Sequence, residues 1–372
     1  MVIRLSEYKA EFKILVVAKT NLLTEQFLKE GKSVAFIDQN KFKIYPDNLV
    51  TNIMENEIEK INRLNDFDVI EIRDNGIIYR WYSHEEGEAG IAITSYCNSN
   101  CIMCPASDKE RKQNNDLSIE QYDSIIRYFP NNLDHFTVTG GEPTLIGEDN
   151  FIHIMNTVKE CMPNTTVLIL TNGRTFGSKR FFEKFLNVLP NHLRIAIPIH
   201  GSDDEKHDYI TQAPGGFRQT LRGIKNVINA NIELELRIVV SKLNYNDLEN
   251  IAQLIIDYFP KVTIVNFIGL EMRGNCVLNH EKVVISYEEA FEKSKGAILK
   301  LALHGIDVSL YNFPYCMIGK SYWPLAQKSI ASYKSNYYKE CSDCIMKEIC
   351  SGIFTTSMYF LKPIVKPIRQ EG

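Results

Sequence analysis

Three cysteines share one short stretch, Ser95-Tyr96-Cys97-Asn98-Ser99-Asn100-Cys101-Ile102-Met103-Cys104. The spacing is C-x3-C-x2-C, directly after the apolar run Gly90-Ile91-Ala92-Ile93-Thr94. Thiolates on one loop can hold three irons of a 4Fe-4S cluster. The fourth iron then keeps an open position, which a reactive metal site needs. Structural zinc usually takes four ligands, and the nearest histidines, His84 and His135, lack ligand spacing.

A second set lies further on: Cys316, then Cys341-x2-Cys344-x5-Cys350. Four thiols can complete the ligand shell of one cluster, and they satisfy structural zinc equally well. The other two of the nine cysteines are Cys161 and Cys276. Cys161 ends a helical stretch and reads as a packing residue. Cys276 is a candidate catalytic residue, with Glu271 and Tyr209.

Strand-to-helix alternation must position these groups. Residues 90–271 predict strands at Gly90–Thr94, Phe136–Thr139, Val167–Thr171, Arg194–Ile199, Leu234–Val240 and Val262–Ile268. A helix over Ser118–Phe129 opens on a Ser118/Gln121 capping box, and one over Asn246–Phe259 repeats the design with Asn246/Glu249. Serial βα units imply parallel strands with right-handed crossovers. The stretch is shorter than the ~250 residues of a closed eight-unit barrel, so a partial (β/α)6 barrel is expected. Residues 1–87 read as a small α+β module, 88–283 as the barrel core, and 284–372 as a Cys-rich extension. That extension begins with a helix over Tyr287–His304 and a strand-like Val308–Tyr311.

The expected strand ends carry further signals. Thr139-Gly140-Gly141-Glu142-Pro143-Thr144 follows the second strand, on the face where βα barrels place their sites. Paired glycines let backbone approach a ligand. Thr171-Asn172-Gly173 ends the third strand, and His200 the fourth. On the fifth strand, Leu234, Leu236, Ile238 and Val240 share one face. Glu235 and Arg237 share the other, which would be the lumen. Arg237 is a candidate carboxylate partner.

Triad, Gly-Gly-Glu-Pro and Thr-Asn-Gly together resemble the radical S-adenosylmethionine (SAM) enzymes. One departure is Met103, where relatives usually carry an aromatic residue. The resemblance implies that Cys97, Cys101 and Cys104 hold the SAM-binding 4Fe-4S cluster. It implies that Gly140, Gly141, Glu142, Pro143 and Asn172 contact SAM, with Arg237 at its carboxylate. SAM would be cleaved to a 5′-deoxyadenosyl radical. The tail resembles SPASM and twitch extensions, implying one auxiliary 4Fe-4S cluster on Cys316, Cys341, Cys344 and Cys350. A full SPASM domain holds two, and its next expected cysteine is Phe354 here.

Looser matches run from residue 88 to 360. They include His207-Asp208-Tyr209, Gly269-Leu270-Glu271, Tyr311-Asn312-Phe313 and Trp323-Pro324-Leu325-Ala326. These are similar to the maturases of His-Xaa-Ser peptide systems. The partners implied are a precursor peptide, a second radical SAM maturase and an electron donor of flavodoxin or ferredoxin type. The product would be a crosslinked or oxidised peptide. A nucleotide or other small molecule is the alternative substrate, and a non-enzymatic zinc-binding interaction protein the third reading.

Composition sets outer bounds. The chain has 372 residues, 44% hydrophobic and 24% charged, with a net charge of −4. That is globular composition without the positive field of a nucleic-acid binder. The first apolar run, Ile14–Ala18, is bounded by Lys13 and Lys19. It is too short for a signal-peptide core or a membrane span. A cytoplasmic location is expected, where thiols stay reduced.

Overall fold

The computed structural model describes residues 3–370 apart from 86, 88, 114 and 115. The expected start of the barrel region, residue 88, lies outside the described residues. Two large sheets organise the rest. The second is eight-stranded and wholly parallel, each strand beside its predecessor in sequence. Its strands are Gly90–Ala92, His135–Thr139, Thr166–Leu170, His192–Pro198, Glu233–Val239, Ile264–Ile268, Asp307–Tyr311 and Ala326–Gln327.

The six expected barrel strands are therefore present in order, and the sheet continues for two more. The helix Tyr287–Leu303 supplies the crossover to the seventh strand, which pairs in parallel with the sixth. The strand-like Val308–Tyr311 thus lies within the barrel sheet.

Burial alternates along these strands, and the alternation gives the sheet its two faces. Phe136, Val138, Val167, Ile169, Leu236 and Ile238 are fully buried under the helices. Their neighbours Thr137, Thr139, Leu168, Leu170, Pro198 and Arg237 are half-buried on the opposite, lumenal face. Period-two alternation is what a pleated strand requires when one face is packed. The helix Ile119–Tyr128 starts as the sequence predicts, with Ser118 accepting from Gln121 N–H and Gln121 answering Ser118. The helix Leu248–Tyr258 does not use Asn246. Its N-cap is Asp247, whose carboxylate turns instead to the Ser202 backbone and hydroxyl and to Lys206.

The N-terminal sheet has seven strands. Its strands include Lys13–Ala18, Val34–Asp38, Val69–Ile72 and Ile77–Tyr82. It also holds a helix at Asn21–Lys29 and the strand pair Lys41–Tyr45 and Leu49–Asn52. Ile14, Val69 and Tyr82 join the barrel's apolar core. Tyr128 accepts from Ser33 N–H at 2.8 Å, tying the module to the first barrel helix. Among the described residues no helix is long and apolar enough to cross a membrane.

Candidate functional site

The triad loop leaves the first barrel strand and is clamped from three sides. The first clamp is the Gly-Gly-Glu-Pro turn. Gly141 N–H donates to Thr94 O, and Glu142 N–H to Tyr96 O, both at 2.7 Å. A Cβ on Gly141 would sit 2.3 Å from Tyr96 O and 2.4 Å from Ser95 O. The close backbone approach expected of these glycines is thus to the chain's own cysteine loop, and the Gly141 N–H is already paired. Pro143 starts a short 3-10 turn and is buried.

The Glu142 side chain is fully buried. Its carboxylate accepts from the Thr144 backbone and hydroxyl, the Thr171 hydroxyl and Asn172 N–H, at 2.7–3.2 Å. Burial pushes its pKa up, and these donors pull it back. The side chain sequence reasoning offers to SAM instead locks two strand-end loops together. This correction has a simple cause: a carboxylate ringed by donors in the interior has no face left for a ligand.

The third strand supplies the second clamp. Asn172 Nδ2 donates to Asn98 Oδ1 at 2.6 Å. Arg174, to which the sequence assigns no role, reaches Asn98 O at 2.6 Å and Ser99 Oγ at 3.3 Å, and its Nε holds Gln219. The third clamp comes from residues 273–279. Asn275 Nδ2 reaches Asn100 Oδ1 and Cys101 O at 2.8 and 3.2 Å. Asn279 Nδ2 reaches Ile102 O, and Cys276 N–H reaches Cys104 O, each at 3.2 Å. Gly274, at φ 56°, passes so near Pro105 that a Cβ would meet its carbonyl at 2.4 Å.

The three thiols lie close enough to act on one another. Burial, then Cys104 and Cys97, push the Cys101 thiol up to about 12. Burial likewise raises Cys97. Thiols held this high are not ready nucleophiles; a bound metal would be what draws off their protons.

The candidate catalytic residues do not converge. Cys276 is fully buried, with its Sγ 3.5 Å from the Met272 sulfur and its pKa raised to about 12 by burial. It is removed from the catalytic candidates: its work is the backbone bond under Cys104. Glu271 is paired with Lys334 of the tail, 3.3 Å from each carboxylate oxygen. Tyr209 is half exposed in a surface hollow with Asp204, Glu205, Asp208 and Gln212.

On the lumenal face Arg237 Nε bonds Glu235 Oε1 at 2.5 Å, and its guanidinium lies 5.8 Å over the Tyr311 ring. Among the described residues its terminal nitrogens make no further protein hydrogen bond. Asn266, opposite Arg237 and Ser309 in register, is fully buried with neither amide atom in a well-formed hydrogen bond. A polar residue inside Ile264-Val265-Asn266-Phe267-Ile268 was the signal that could have found it.

His200 and His207 stack at 5.9 Å between centroids, and His200 backbone N–H donates to His207 Nδ1 at 3.3 Å. His207 sits on the helix Asp204–Thr211, whose last carbonyls, Ile210 O and Thr211 O, hold Ile102 and Asn100 N–H. Burial lowers His200 to about 3 and His207 to about 4, both from 6.5. The unfolded chain therefore takes up protons first, so stability is full above about 6.5 and falls as pH drops toward 4. At pH 5 the loss is about 2 kcal/mol per ring, about 4 kcal/mol at most for the pair. Urea unfolding of wild type and His207→Gln between pH 5 and 7.5 should show a flatter profile in the variant. Parallel profiles would contradict this.

The second cysteine set lines one cavity. Cys316 stands on the turn Tyr315–Met317, Cys341 on Lys339–Asp343, and Cys344 and Cys350 just after short turns. All four line that cavity with Tyr315, Tyr337 and Met346. Among the described residues, no three His, Cys, Asp or Glu side chains close on a single ion-sized point. Four thiols are the ligand number of a four-iron cluster.

Segment 270–279 ties the triad loop to the tail helix Thr355–Leu361. One end lies under the triad loop. At the other, Met272 N–H donates to Ser357 Oγ at 3.0 Å, and Leu270 O accepts from Tyr287 and Ser357 hydroxyls.

Comparison with known proteins bears on the part of the chain that carries the triad, Gly-Gly-Glu-Pro and Thr-Asn-Gly. The profile described as "Radical SAM superfamily" matches residues 91–255. A "Probable GTP 3′,8-cyclase" of Pyrobaculum aerophilum is 29% identical over 44% of this chain and 51% of its own length. The "Sporulation killing factor maturation protein SkfB" of Bacillus subtilis is 25% identical over 44% of this chain and 38% of its own. Among solved structures, Streptococcus suis SuiB bound to precursor peptide SuiA aligns over 60% of this chain and 47% of that one, with 13% identity and a TM-score of 0.47. The matches to these two curated relatives span about half of their length or less.

Proposed function

This chain carries a radical SAM domain, and from that premise we propose that it is a peptide maturase. Radical SAM enzymes use SAM and a 4Fe-4S cluster. Cys97, Cys101 and Cys104 would hold the cluster, and the open edge of the lumen, with Gly140, Asn172 and the free end of Arg237, would hold SAM. When bound, that pair supplies a radical able to abstract hydrogen. The chain's own contribution is rigidity: Arg174, Asn275 and Asn279 fix the triad loop, and Glu142 fixes the loops beside it.

One observation carries the peptide reading: a second set of four cysteines lines its own cavity, in a tail that residues 270–279 tie to the triad loop through Ser357. Four protein thiolates would leave an auxiliary cluster no open iron. It would then suit taking an electron from an oxidised substrate, as crosslinking a peptide demands. SkfB is named for maturation of a killing factor, which supports a ribosomally made substrate. Within that class, the motifs of the tail favour a His-Xaa-Ser precursor. The GTP cyclase likeness favours a nucleotide as second reading.

The test is anaerobic incubation of the reconstituted chain with dithionite, SAM and either a synthetic His-Xaa-Ser repeat peptide or GTP, read by mass spectrometry. A peptide lighter by about two hydrogens per crosslink, formed with 5′-deoxyadenosine, is expected. Turnover of GTP with the peptide untouched would overturn the reading.

A further inference from the structure

The helix Thr355–Leu361 ends at Lys362, whose φ of 42° turns the chain sharply. From there to Gln370 the chain has no regular structure. It crosses the four-cysteine cavity, and Val365, Lys366 and Pro367 form part of its wall. Ile368 pins it: its carbonyl accepts from Ile345 N–H at 3.0 Å.

Two sulfurs of the set accept from a backbone N–H: Gly352 donates to Cys350 Sγ and Ile368 to Cys344 Sγ, both at 3.4 Å. The second of these donors belongs to the crossing segment. Hydrogen bonds to cluster sulfurs and exclusion of solvent are the protein's main levers on a cluster's potential. N–H donors favour the more negative, reduced state and so raise the potential.

We propose that residues 362–369 are a strap that covers the auxiliary site with Val365, Lys366 and Pro367 and sets its potential through the N–H group of Ile368. This rests on the reading that the site holds a 4Fe-4S cluster. The strap explains why an unstructured, motif-free segment is held at defined points, and it assigns work to backbone atoms that no side-chain pattern would reveal.

Proline removes an N–H and finds no helix or strand here to break. The test uses the full chain with Cys97, Cys101 and Cys104 replaced by alanine, so that only the auxiliary site loads. Ile368→Pro is compared with that parent and with Ile364→Pro, which leaves the Ile368–Cys344 contact in place. The Ile368 variant should keep about four irons, show a lower midpoint potential in an EPR-monitored titration, and lose iron to a chelator faster. If it does not load, Pro367→Gly, which loosens the strap beside the same N–H, carries the comparison. Unchanged potential and chelation rate in an iron-loaded variant would overturn the strap alone. Zinc without sulfide in the parent would overturn the cluster reading and the strap with it.

Discussion

Cys101→Ala is expected to reduce 5′-deoxyadenosine formation to the level of a control without protein. Cys344→Ala is expected to keep it while losing the modified peptide. The contrast comes from ligand count. The triad loop offers three thiols and no fourth, so removing one leaves two ligands for a cluster that must also keep an iron open. Cys101 is the central member, and its carbonyl is held by Asn275, so the loop should keep its shape while losing its sulfur. The tail set lines a separate cavity, and residues 270–279 tie the triad loop to the tail helix at Ser357. Its loss should spare SAM cleavage and stop the later oxidation of the peptide. Anaerobic assays with iron and sulfide analysis on both variants check this. Equal loss of 5′-deoxyadenosine in both would mean that the sites do not work separately.

The parts of this protein legible in its sequence are those written in local periods. Alternating apolar residues announced six barrel strands, and Ser118 with Gln121 announced a helix start, because each signal lies within a few residues. Cysteine spacing set out both groups of thiols for the same reason. The seventh strand was seen as strand-like, but its place in the barrel sheet depends on pairing with Ile264–Ile268, which no local pattern encodes. Lys41-Phe42-Lys43-Ile44-Tyr45 does alternate, and its strand was there to be read. The second helix starts one residue after the expected Asn246, and its N-cap Asp247 spends its carboxylate on the distant Ser202 rather than on the helix.

Site roles were harder to read for a related reason. A motif names residue types that occur together, not the direction in which they face. Glu142 belongs to a motif associated with SAM, yet its carboxylate points into the protein. Arg174, Asn275 and Asn279 hold the cysteine loop from far along the chain, where nothing local marks them. The strap proposed over the tail cavity works through a backbone N–H, and this carries no sequence signal at all.

Glu142 is where such long-range ties concentrate, and Glu142→Ala is expected to cost about 3–5 kcal/mol, as for breaking one partner of a buried charged network. Its five contacts join the loop after the second strand to the loop after the third. The Thr144 and Thr171 hydroxyls can turn to new acceptors. The backbone N–H groups of Thr144 and Asn172 cannot, and each buried donor left unpaired costs about 1–3 kcal/mol. The relief of no longer burying a carboxylate offsets part of this, which keeps the estimate below the sum of five bonds. Against a total stability of about 5–15 kcal/mol, the loss is large enough to see in urea unfolding. It should also act locally: Asn172 grips Asn98 and orders Arg174, so freeing the Asn172 backbone loosens the triad loop itself. Iron retention under a chelator should therefore fall more in Glu142→Ala than in a core variant of equal destabilisation such as Ile255→Ala, whose helix packs away from the site. Equal retention in the two would reduce Glu142 to a general stabiliser of the barrel.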